Sequence, residues 1–314
     1  MPVMLSTELV GRRIVLRYRR HDGILPPLSD VVGELTSLTP TTAVVAGPNG
    51  PVTVDRAAIV AARPVAPHRR QILELERIAR RGWRAAEVEE FDGWLLHADQ
   101  GWTSRANSVL PLTTPRRPLS ELLAAADRFY AERGLPVQIQ LPLPARGLLD
   151  AELAGRCWSL RRPAVMLSSP ISGLPEVLVS DEPVRLDPVP STAWLDGYHH
   201  RGDPLPEHAV RLLTRHDQVR FASLSRNGSV VGVARATVDE GWLGVSAVEV
   251  AAGHRRSGVA STLMRALADW GRGQAATRCY LQVEADNSGA LAFYQRLGFI
   301  SHHRYHYRIA PAAS

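Results

Sequence analysis

One stretch limits what this chain can become more than any other. It is Val248 to Ser261, reading V-E-V-A-A-G-H-R-R-S-G-V-A-S. An apolar run from Val245 to Ala252 enters a tight turn, and Leu263, Met264, Leu267 and Trp270 follow at once with helical spacing. A strand, a glycine turn and a helix start, in that order, hold anions well. The first turn of a helix leaves backbone N–H groups unpaired, and the helix dipole makes that end favour negative charge. Gly258 removes the Cβ from the approach, and Ala260 keeps it small. Taken alone, the hexapeptide from Arg255 to Ala260 reads equally as an ordinary helix start.

The next segments narrow the reading. Tyr280 to Glu284 alternates as a strand does, and N-x-x-A-x-x-F-Y-x-x-x-G-F follows from Asn287 to Phe299. Asn287 suits an N-cap, Ala290, Phe293 and Tyr294 share one helix face, and Gly298 sits where a helix C-terminus turns. The Arg-x-x-Gly-x-Ala turn resembles the acyl-CoA pyrophosphate loop of the GNAT acetyltransferases. The Asn287–Phe299 run resembles that family's last helix, and the two motifs stand in the family's order. The resemblance covers residues 180–309. It implies an α/β (α+β) GNAT fold, with a mixed, mostly antiparallel sheet flanked by helices. It further implies acetyl-CoA as co-substrate and direct transfer of the acetyl group to an amine acceptor.

The same resemblance assigns roles. The backbone of Val248 and Val250 pairs with the pantetheine arm, and the Val250 N–H polarises the thioester carbonyl. Backbone N–H groups of Arg256, Ser257, Gly258, Val259, Ala260 and Ser261 hold the pyrophosphate, and the side chains of Arg255 and Arg256 add charge. Tyr294 matches the tyrosine that protonates the departing thiolate in family members, or else its ring packs on the core and its hydroxyl only bonds the backbone. Asn287 either touches the pantetheine or only caps its helix. Several family members carry a general-base glutamate at the position occupied here by Gly244. The substitutes in this sequence are Glu249, Glu284, Glu240 and His254. Glu249 is singled out because burial in an apolar strand would raise its pKa toward a useful range. Pairing of Glu249 with an arginine, or a water chain from a more distant carboxylate, are the competing readings. Tyr198, His199 and His200 fall where the fold places its acceptor loop. His302 and His303 are adjacent, so an ideal strand sends them to opposite faces, and no Cys–His spacing suits zinc. No metal is expected.

Length and charge set the wider frame. The 314 residues leave room for two or three domains. All 37 basic residues are arginine, which points to coding bias more than to a nucleic-acid footprint, and the net charge of +6 suits an anionic partner such as CoA. No run approaches 18 apolar residues, so no membrane span is expected. Neither is a secretory leader, and the two cysteines are expected to stay reduced, as in the cytoplasm.

Three domains are expected. In residues 1–65, short strands at Arg12–Tyr18, Asp30–Ser37, Thr41–Ala46, Pro51–Val54 and near Ile59–Ala62 suggest an SH3-like small barrel. Such a barrel docks peptides or RNA, or is a structural appendage, so a protein partner is one reading. Tyr18 is its sole aromatic, which argues against a proline-peptide groove. Ala61 to His68 reads as a proline-rich linker. Residues 69–175 read as helix, strands, helix, strand, helix, strand, with one strand over Thr103–Leu112. Residues 180–314 repeat that order. The first copy is degenerate: T-T-P-R-R-P replaces the glycine turn, Leu153 stands for Tyr294 and Cys157 for Gly298. This resembles the tandem GNAT arrangement of mycothiol synthase. Two alternatives stay open: an acyl-CoA sensor or scaffold without turnover, and a transferase docked to a protein or nucleic-acid target through the barrel.

Overall fold

The computed structural model describes residues 5–6, 9–20, 24–174, 183–199 and 205–311. The chain divides into two compact units, Met1–His68 and Arg69–Ser314.

In the first unit the strands are β1 (Arg13–Arg19), β2 (Leu28–Leu38), β3 (Thr42–Gly47), β4 (Gly50–Asp55) and β5 (Ile59–Pro64). They pair in the order β4-β3-β2-β1-β5, so the last strand returns to the first. Alternation builds the core, with Ile14 and Leu16 of β1 meeting Leu35, Ala43 and Val45. Gly33 is obligatory, because a Cβ there would lie 2.0 Å from the Ala46 carbonyl oxygen. A 3-10 turn at Arg56–Ala58 precedes β5 and is capped by Asp55 through the Ala57 N–H at 3.0 Å. Strand β5 extends through Pro64, so the linker begins later than the prolines suggested.

The second unit runs α1 (Arg69–Arg81), β6 (Glu87–Phe91), β7 (Trp94–Ala98), β8 (Val109–Pro111), α2 (Leu119–Ala131), β9 (Gln138–Leu143), α3 (Gly147–Gly155) and β10 (Ser159–Pro170). It continues with β11 (Val184–Asp187), α4 (Thr192–Gly197), α5 (Glu207–Thr214), β12 (Val219–Arg226), β13 (Ser229–Asp239), β14 (Trp242–Val250), α6 (Val259–Gly273), β15 (Arg278–Glu284), α7 (Ser288–Arg296) and β16 (Ile300–Ile309). Among the described residues these strands form one eleven-stranded sheet, ordered β11-β12-β13-β14-β15-β10-β16-β9-β8-β7-β6. Its pairs are antiparallel except β14–β15 and β8–β9.

The order is close to a palindrome about the β10–β16 pair. Strand β10 of the first half lies against β15 of the second, and β16 of the second half lies against β9 of the first. Small details repeat as well. Helix α3 ends with Cys157 at φ 62° and the Trp158 N–H on the Leu153 carbonyl at 3.0 Å. Helix α7 ends with Gly298 at φ 87° and the Phe299 N–H on the Tyr294 carbonyl at 3.0 Å. Both closures are of the Schellman type, and holding cysteine in the left-handed region costs roughly 1–2 kcal/mol that glycine avoids.

Two local expectations need correction. The strand expected over Thr103–Leu112 is only Val109–Pro111. Asn107 folds the preceding chain back, accepting the N–H groups of Asp99 and Gly101 at 2.7 and 2.9 Å and donating to the carbonyls of Asp99 and Thr103. His302 and His303 do not part as an ideal strand would require. The β10–β16 register slips between Met166 and Leu167, and the two Nδ1 atoms lie 2.8 Å apart. His303 Nε2 in turn lies 2.8 Å from Glu76 of α1, and Gln140 joins Glu76 to the buried Arg80. This network satisfies charges that would otherwise be stranded in the core.

Candidate active site

Strands β14 and β15 run side by side only as far as Val245 and Leu281. Beyond that pair β14 continues to Val250 against β13 alone, and a gap opens toward β15. Ala247, at φ 52°, sits in the bulge that shifts the β13–β14 register between Val233 and Arg235. After the bulge Gly232 opposes Val250, and the Ala251 N–H bonds the Val231 carbonyl at 2.9 Å. Because N–H directions alternate along a strand, the N–H groups of Val250 and Val248 turn away from β13. Arg255 Nε donates to the Val250 carbonyl at 3.3 Å, so its side chain closes the strand end instead of reaching out freely.

The turn then opens onto the N-terminus of α6. Arg256 has φ 61°, and Gly258, the N-cap of α6, has φ 88°. The Thr262 N–H reaches the Gly258 carbonyl at 3.0 Å, leaving the N–H groups of Val259, Ala260 and Ser261 to point out of the helix end. Val259 anchors that end: it is buried, and a Cβ on Gly232 would come within 2.3 Å of its Cγ1. The Ser257 hydroxyl donates to the His254 carbonyl at 2.7 Å and accepts from Arg226 at 2.7 Å. It is therefore part of the loop's own fastening. Arg226 was missed by sequence reasoning, since it lies 31 residues upstream beside the Asn227-Gly228 hairpin turn.

Tyr294 is buried in the core that also takes in Val259 and Leu263 of α6, edge-on to Phe293 and Phe299 at centroid distances of 5.0 and 5.7 Å. Burial pushes its phenol well above the usual range, with buried Cys279 adding to the effect. Asn287 caps α7, its Oδ1 accepting the Ala290 N–H at 3.0 Å.

Glu249 departs from expectation. Its side chain is 30% exposed instead of buried in the strand as expected. Its Oε2 accepts the His199 N–H at 2.8 Å, and its Oε1 lies 3.4 Å from His199 Nδ1. The carboxylate thus pins the chain leaving α4, which ends at Gly197; His200 lies outside the described residues. The other carboxylates are differently placed. Glu240 is tied to Arg77 and Arg81 at the opposite end of β14. Glu284 is exposed on β15 past the splay. His254 lies in the loop itself, its carbonyl used by Ser257. At Gly244 the ring of Tyr280 takes the side-chain space, with its hydroxyl 2.3 Å from where a Cβ would stand.

The first half supplies further walls that no local motif announced. Trp83 and Trp102 pack with Tyr198 and the bulge residue Ala247 in one cluster. Arg105 stacks over Trp83 at 5.3 Å and donates to Gln282 of β15 at 2.6 Å. Gln140 of β9, the counterpart of Gln282, accepts from Arg80 at 2.6 Å.

The matching gap in the first half is closed. Strands β8 and β9 meet at Val109 and Ile139, and Arg146 donates across the opening to the carbonyls of Pro111 and Thr113 at 2.7 and 3.0 Å. Asp92 accepts the N–H groups of Arg116 and Arg117 at 2.7 and 2.8 Å. An internal carboxylate already sits where this turn would receive an anion. Among the described residues no helix is long and apolar enough to cross a membrane, and no three metal-ligating side chains gather.

Comparison with known proteins agrees with this geometry. Residues 70–308 match the family model described as "Probable histone acetyltransferase Rv0428c C-terminal", and residues 9–63 match "Rv0428c N-terminal Sm-like domain". The N-terminal unit is therefore Sm-like where the strand pattern had suggested an SH3-like barrel. The "Probable histone acetyltransferase Rv0428c" of Mycobacterium tuberculosis is 35% identical over 99% of this chain and 98% of its own length. "Uncharacterized N-acetyltransferase YobR" of Bacillus subtilis is 27% identical over 76% of this chain and 98% of its own. Among solved structures, a GCN5-related N-acetyltransferase from Kribbella flavida superposes with a TM-score of 0.55 at 17% identity, over 77% of this chain and 96% of that one. The chain belongs to the Rv0428c family, GNAT-type N-acetyltransferases that carry an N-terminal Sm-like domain.

Proposed function

We propose that the protein transfers the acetyl group of acetyl-CoA to a primary amine, of a small molecule or a protein, at the gap between β14 and β15. The observation that carries this reading is the continuity of that gap with the anion cradle at Arg256–Ser261. Unpaired strand N–H groups lead directly to an open helix N-terminus, which suits an amide-bearing arm ending in a pyrophosphate. Acetyl-CoA supplies an activated thioester when bound. The Val250 N–H polarises its carbonyl, the Tyr294 hydroxyl holds a proton for the departing sulfur, and Glu249 accepts the proton of the attacking amine. No metal takes part in this reading. The two unpaired cysteines, Cys157 and Cys279, support a reducing compartment such as the cytoplasm. The Sm-like unit we take as a docking module for a protein target.

A second reading, a CoA-binding protein without turnover, is favoured by Gly244, where a base-bearing side chain has no room beside Tyr280. One experiment separates them. Calorimetry with CoA is paired with thiol release from acetyl-CoA over a panel of amines and lysine peptides. Binding with turnover is expected. Binding without turnover on any acceptor would favour the sensor, and absence of CoA binding would remove both. The chain contains no lysine, so acetyl-lysine signal in the assay comes from the acceptor.

A further inference from the structure

The closed gap of the first half is not solid. A cavity of about 580 Å³ lies between the end of β8, the start of α2 and the first turns of α3. Its walls are mainly apolar: Trp94, Pro111, Leu119, Pro144 and Leu149, with Leu148 at the rim, 90% exposed. Two guanidiniums face it, Arg69 and Arg146. Arg146 is buried and gives two of its N–H groups to the carbonyls of Pro111 and Thr113, and Arg69 donates to the Thr114 hydroxyl at 2.9 Å. Among the described residues neither has a carboxylate within ion-pairing distance. Glu152, which also lines the cavity, is engaged by Arg156 at 2.9 Å. Burial, with the charge of Arg69 nearby, pulls the Arg146 guanidinium down to about 10. The group stays protonated at neutral pH, so two cations face the cavity without an ion-pairing carboxylate of their own, Glu152 being held by Arg156.

We propose that this cavity binds a small carboxylic acid with an apolar body, its carboxylate between Arg69 and Arg146 and its body against Trp94, Leu119 and Leu149. The volume falls in the range of small-molecule sites, which are mostly apolar with a few fixed polar groups. A carboxylate would supply the missing counter-charge through charge-assisted hydrogen bonds. A nucleotide-bearing ligand does not fit the same reading. The neighbouring turn is rich in proline, and its N–H groups at Arg116 and Arg117 are already taken by Asp92. The cavity is therefore a site of its own chemistry, independent of the transferase reading.

The test uses the full chain, with octanoate as probe and octanol as its uncharged counterpart. Calorimetry is read alongside tryptophan fluorescence, to which Trp94 contributes. Octanoate should bind with one-to-one stoichiometry, and octanol about tenfold or more weakly. Arg69→Gln, on an exposed side chain, should weaken octanoate about tenfold while leaving octanol unchanged, the loss of one charge-assisted contact. Leu148→Glu, also exposed, should weaken octanoate more than octanol. Saturating acetyl-CoA should leave octanoate binding intact. The proposal fails if octanoate gives no binding at millimolar concentration, if neither variant alters its affinity, or if acetyl-CoA displaces it.

Discussion

A phenol serves as an acid toward a thiolate only while it keeps its proton, and burial secures that for Tyr294. The same burial makes its ring part of the core, so the two roles must be separated by a substitution that keeps the ring. Tyr294→Phe should lower kcat about 10- to 10³-fold, while melting temperature and CoA affinity change little. Unchanged kcat would take the hydroxyl out of the mechanism, and a parallel fall in stability and activity would make it a packing residue. Glu249 calls for a different control, because its carboxylate holds the His199 N–H. Glutamine can still accept that bond. If Glu249 takes the amine proton, Glu249→Gln should lower kcat about 10²-fold or more, with CoA affinity retained. An unaltered kcat would leave Glu249 as a positioning residue for the acceptor loop. Legibility at this scale follows sequence distance. Asn287 and Gly258 act within their own turns and could be read directly. The partners of Glu249, Ser257 and Gln282 come from 31 to 177 residues away, and no local pattern names them.

Elements were legible where one period governed them. Helix α1 carries its buried residues Ile72, Leu75, Ile78 and Ala79 at helical spacing, and the β12–β13 hairpin turns at Asn227-Gly228, both residues having positive φ. Strand β8 was misread because the hydrogen bonds of one side chain, Asn107, outweighed the strand propensity of its neighbours. Strand β16 hid a bulge that brings two histidines together. Burial across these elements also sets a pH response. His97 on β7 and His302 on β16 are each pushed down to about 3, and His216 after α5 to about 4, burial being the first cause in each case. All three are neutral in the folded protein near pH 7, whereas the unfolded chain takes up their protons near 6.5. Their contribution is therefore intact above about pH 6.5 and lost as pH falls toward 4. Each histidine costs up to about 1.4 kcal/mol per pH unit in that window. Urea unfolding between about pH 7.5 and 4.5 should show this decline, and His97→Gln should flatten it by one histidine's share. An equally steep decline in the variant would mean that His97 is protonated in the fold.

At the scale of the whole 69–314 unit, the decisive feature is the exchange of terminal strands. A boundary between residues 175 and 180 assigns β10 to the first half by sequence, yet β10 lies between β15 and β16, both from the second. The hint in the sequence was weak. Ala164–Ser169 is buried on both faces, as suits a central strand, but nothing local says whose sheet it is central to. The energetic consequence can be bounded. Val165, Leu167, Ile171 and Leu174 all belong to the apolar core that also contains Val259, Leu263 and Tyr294. At roughly 1.5–3 kcal/mol per buried side chain, those four contribute about 6–12 kcal/mol, comparable to the entire stability of a typical domain. Removing β10 would also leave facing edges of β15 and β16 without a ladder partner, an invitation to aggregate. The second half, although it carries the whole Arg256–Ser261 turn, should therefore not stand alone. Expressed by itself, residues 175–314 should be insoluble or lack a cooperative unfolding transition. Co-expressed with residues 69–174, it should be recovered as a one-to-one complex that binds CoA. A monomeric, cooperatively folding 175–314 fragment with full CoA affinity would show that β10 is dispensable and that the exchange does not hold the active half together.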